Sequence, residues 1–199
     1  MHSSEYNLRL FVIQLENLET YLLSNEIFWN LNAYHPQAQP PLASLAIGAI
    51  LFTTNELSCQ LDRFNPEQEH MFIKLMLLWD KALLKWHANM EKKVLREIQS
   101  RINLWNAYLS DLQEGKDSGR TYPYEIRHRV ILTLLCDFVT QQDDVQETRA
   151  KLRAMDARLW SILLSTDFIW DQVQRGIYPR DQYRFLYGKP KKSPAFSEG

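Results

Sequence analysis

Between Glu67 and Glu114 the chain contains no Gly and no Pro. Along that stretch Phe72, Met76, Trp79, Leu83, Trp86, Met90, Val94, Ile98, Ile102, Trp105, Leu109 and Leu112 recur at steps of three and four. That is the period of a helical face, so the chain is organised around a long helix over residues 65–113. Asn65 as N-cap, Pro66 at the first helical position and Gln68 closing a capping box mark its start. At about 1.5 Å per residue one unbroken helix would be roughly 70 Å long, more than neighbours can cover from one side. That length leaves room for a break or bend near His87–Asn89, and the stretch fits either one helix or a hairpin of two. Heptad-like steps as far as Met90 overlap steps of four from Trp86 to Ile102, a stutter that straightens a supercoil.

The other segments follow the same rhythm. Ser3 or Ser4 can cap a first helix to about Ser24, with Leu8, Phe11, Val12, Leu15, Leu18, Tyr21 and Leu22 on one face. Residues 30–41 hold three prolines and no periodicity, which reads as a loop packed by Phe28, Trp29 and Tyr34. Pro41 suits the first position of a second helix to about Phe64. Pro123 opens a fourth helix, and Asp144 with Glu147 forms a capping box for a fifth through Leu164. Phe168 to Gln174 suggests a short helical piece, and Gly188-Lys189-Pro190 reads as a helix stop.

Six Gly and eight Pro in 199 residues, gathered between the apolar segments, favour long helices over the frequent turns of an all-β fold. The expected fold is therefore all-α: a bundle of four to five helices around one long, bendable helix, with a short aromatic C-terminal strap. Residues 1–190 make one domain and residues 191–199 a disordered tail. A net charge of −1 supplies no overall drive toward nucleic acid or an anionic membrane. Cys59 and Cys136 stand alone in apolar surroundings, as free thiols in a reducing compartment do. The N-terminus lacks a secretory pattern, and the most apolar run, residues 42–52, is about half a bilayer span. A soluble, cytoplasmic protein with no membrane partner is expected.

The sharpest chemical pattern is a repeated E-x-x-H: Glu67 with His70, and Glu125 with His128. Residues i and i+3 share a helix face, so each pair can offer a carboxylate and an imidazole to a metal. Ferritin-like di-metal carboxylate proteins use two such pairs plus one Glu from each of two further helices. Glu16 or Glu19 and Glu56 are the nominal sources here. Against this, Glu67 and Glu125 lie in first helical turns, where the helix dipole favours acids anyway. Their neighbours Gln68, Glu69, Arg127 and Arg129 read as solvated.

Basic residues gather on the long helix at Lys85, Lys92, Lys93 and Arg96, the candidate groove for a nucleic acid. Glu91 and Glu97 interleave with them as surface pairs would. Neither Cys has metal or redox spacing, and no phosphate loop or nucleophile elbow is present, so no cofactor is expected. The C-terminal segment carries Trp170, Tyr178, Arg180, Tyr183, Arg184, Phe185 and Tyr187, and Trp, Tyr and Arg are the residue types enriched at binding hot spots. Such a strap can present those groups to a partner, or fold back and bury them. The function expected is contact rather than catalysis: an assembly or adaptor subunit that binds a protein partner or forms a homo-oligomer. The di-metal and nucleic-acid readings are the alternatives.

Overall fold

The computed structural model describes residues 3–33, 35–38, 40–139 and 143–191. Tyr34, the Asp144 side chain expected to cap with Glu147, and the tail from residue 192 lie outside the described residues. Among the described residues the chain is mainly all-α, with one two-stranded ladder. Among the described residues the helices are α1 (Ser4–Glu16), α2 (Leu18–Leu23), α3 (Ile47–Ser58), α4 (Pro66–Gln113), α5 (Tyr122–Phe138) and α6 (Asp143–Ile162). The strands β1 (Leu163–Ser165) and β2 (Gly188–Pro190) pair antiparallel. The chain divides into two compact units, Met1–Glu97 and Ile98–Gly199, and α4 runs from the first into the second. No helix of the described residues is long and apolar enough to cross a membrane.

The long stretch is two helical segments joined at a kink, and its start is the one expected: Gln68 N–H donates to Asn65 Oδ1 at 2.9 Å while Asn65 N–H donates to Gln68 Oε1 at 3.1 Å. The bend falls at Trp86, where φ −117° and ψ 18° leave the helical region. That is one residue before His87, where the heptad-like steps begin to give way to steps of four. One further helix appears because the first breaks at Asn17, whose side-chain amide donates to Ile13 O at 2.9 Å. A side chain that competes for a helical carbonyl in this way loosens the turn.

In the first unit α1 packs on α3, and Phe11, Leu18, Tyr21, Ile47, Ile50, Leu57, Met90 and Val94 are buried. The second helix does not begin at Pro41. Residues 41–46 are extended or irregular because their backbone groups are engaged elsewhere. Asn32 brackets Leu42, donating to its carbonyl and accepting from its N–H, both at 2.7 Å. Trp29 and Leu45 exchange backbone bonds of 2.8 and 2.9 Å. The helix therefore starts at Ile47, after Ala46, a residue without a capping side chain. Glu97, fully buried on α4, supplies the cap: its Oε2 accepts from Gly48 N–H at 3.0 Å. One turn earlier on α4, the buried Lys93 ammonium donates to Ser24 O at 3.0 Å and Glu26 O at 2.5 Å, and it lies 4.3 Å over the Tyr21 ring. Burial and then the Arg96 guanidinium pull the Lys93 pKa below the ordinary lysine value, against Glu26.

In the second unit Trp105, Leu109, Tyr122, Ile126, Val130, Leu135 and Leu159 are buried. The expected helix stop at Gly188 is instead a strand, with Ser165 paired to Gly188 and Leu163 to Pro190. Gly188 is extended, and an added Cβ would lie 3.2 Å from Leu164 O and 3.3 Å from Leu163 Cδ1. The glycine thus serves a close strand approach, not a helix cap. Lys191, expected in the tail, donates its N–H to Ile162 O at 2.8 Å.

Glu97→Ala removes the side-chain cap at Gly48 and leaves a buried N–H without that acceptor. It should lower stability by about 1–3 kcal/mol in urea unfolding. A loss below about 0.5 kcal/mol, the range of neutral surface changes, would contradict the capping role.

Candidate functional site

Each group of candidate residues occupies a distinct local setting. Glu67 and His70 are exposed at the start of α4 in the first unit. Glu67 borders an apolar groove of about 550 Å³ whose walls include Leu8, Val12, Ile13 and Met71, with Arg9 and His35 also along it. Glu125 and His128 lie on the first turns of α5 in the second unit, half-buried, with His128 Nε2 3.8 Å from Glu125 Oε2. The other face of that imidazole meets Arg101, whose Nη1 is 3.2 Å from His128 Nδ1. A guanidinium only donates, so Nδ1 accepts and the ring proton sits on Nε2, toward Glu125. Among the described residues no group of three or more His, Cys, Asp or Glu is placed to hold a metal ion. The nominal extra ligands do not change this: Glu16 and Glu19 are exposed, and Glu56 is buried on α3.

The four basic candidates divide. Lys93 is turned inward, as described. Arg96 Nη2 donates to Asn25 O at 2.8 Å, and Lys85 Nζ reaches Glu19 Oε2 at 3.4 Å while lying over the Trp86 ring. Lys92 is exposed. Two of these cations thus hold the loop after α2 rather than presenting a cationic groove.

The strap is mostly interior. Tyr178, Tyr183, Phe185 and Tyr187 are buried. Trp170, Tyr178, Tyr183 and Phe185 form a run of edge-to-face contacts 5.0–5.9 Å between centroids, the geometry aromatic quadrupoles prefer. Polar tips are tied down too. Tyr122 donates to Phe185 O at 2.6 Å, Tyr187 to Tyr178 O at 2.8 Å, and Trp170 Nε1 to Pro123 O at 2.7 Å. Beneath them Arg129 forks onto Asp156 at 2.7 and 2.8 Å and lies 4.7 Å from the Phe185 ring. Of the seven residues, Arg180 and Arg184 stay exposed, Arg184 over the Trp160 ring at 4.9 Å. Buried aromatics of this kind are unavailable to a partner unless the strap detaches.

The feature that sequence periodicity misses lies on the first half of α4. Phe72, Leu75 and Trp79 are buried there, yet Ile73, Leu77 and Leu84 are 52%, 57% and 86% exposed. Their spacing of four and seven places them in one stripe. Met71 and Leu78 are also exposed, along another edge of the same segment. A helix apolar on several sides belongs in an interior. Here the sequence does carry a signal: residues 71–79 are apolar at every position but Lys74, more than one buried face requires.

His128 provides a direct test of the Arg101 arrangement. Burial, then Arg101 and Arg127, hold its pKa down at about 4. An unfolded His takes up a proton near pH 6.5, so the folded chain binds fewer protons between there and about 4. Stability from this group is therefore constant above about pH 6.5 and is lost as pH falls through that window. Burial and Asp117 raise Glu125, which acts in the opposite sense. Comparing urea midpoints at pH 7 and 4.5 for wild type and His128→Gln should show a smaller acid loss in the variant. Equal losses would contradict the buried neutral imidazole.

The chain matches no protein family, curated protein or solved structure it was compared with.

Proposed function

We propose that this chain acts by contact, as a subunit of a larger assembly, and that its contact surface is the first half of α4. The observation that carries the reading is the stripe of Ile73, Leu77 and Leu84, with Leu78 and Met71 exposed beside it. Contiguous apolar patches on a monomer's surface mark interaction sites when they lie together rather than singly. Burying a side chain of this kind is worth about 1.5–3 kcal/mol, so three at spacings of four and seven give a partner helix a continuous seat. The mode is helix against helix, with anchors at helical spacing.

The test is the size of the native species in an extract of the source cells. Wild type should migrate above the 23.6 kDa of one chain. Leu77→Glu/Leu84→Glu should shift to the single-chain size with an unchanged far-UV spectrum, because both positions are exposed. Migration of wild type at the single-chain size, or a variant that migrates as wild type does, would overturn the proposal.

A further inference from the structure

We draw no further inference here: the strongest candidate, the apolar groove of about 550 Å³ along α1 and the start of α4, is rimmed by acidic side chains (Glu5, Glu67) as well as basic ones (Arg9, His35), so nothing in the structure shows what covers it.

Discussion

Lys93 and Glu97, one turn apart on α4 and both buried, hold opposite ends of two other elements of the first unit. The ammonium takes carbonyls after the end of α2, and the carboxylate takes an N–H at the start of α3. Each charge meets the helix end whose dipole favours it. Because a buried charge left without its partner is costly, the pair fixes where α4 lies against α2 and α3 in that unit. Sliding α4 by a turn would leave both groups unsatisfied. Few other polar bonds between α4 and its neighbours are seen before Trp86, where Lys85 pairs with Glu19 at the surface. The second half of the helix is thus anchored by specific interactions, while the first half keeps apolar groups in water.

The second unit is held by an equivalent device. Arg129 joins α5 to α6 through Asp156 and supports the strap through Phe185. Each buried strap aromatic removes about 150–250 Å² from water, and the β1–β2 ladder closes both ends of the strap. Residue types that dominate binding sites are here used for folding. Aliphatic side chains exposed at regular spacing lie instead on α4.

Much of the fold was legible in the residues, and the boundaries of what was legible are physical. The Asn65–Gln68 capping box is local and marks the α4 start, and the length of the stretch points to a bend at His87–Asn89, next to the observed one at Trp86. Residues 41–46 were not readable, because Asn32 and Trp29 capture their backbone from a distance and no local propensity records that. Gly188 reads equally as a helix stop or as a close strand approach until Leu163 and Leu164 are placed beside it. At the candidate site, E-x-x-H spacing found Glu125 and His128 but not Arg101, which turns the imidazole's lone pair to a guanidinium. Periodicity also ranked Lys93 with the surface lysines, since burial of a charge depends on partners far along the chain. The stripe at Ile73, Leu77 and Leu84 is not marked by the helical period, because the face carrying the buried Phe72 and Trp79 already accounts for that period.

Hydroxyl-radical footprinting inside the source cells probes the proposed α4 contact. It reads side-chain exposure at Ile73, Leu77 and Leu84 where the chain works, against the purified chain at high dilution. A contact there gives strong labelling of all three in the dilute chain and several-fold protection in cells, with buried Met90 unlabelled in both. Equal labelling in the two conditions would mean that the stripe stays in water, and the assignment of α4 as a contact surface would fail.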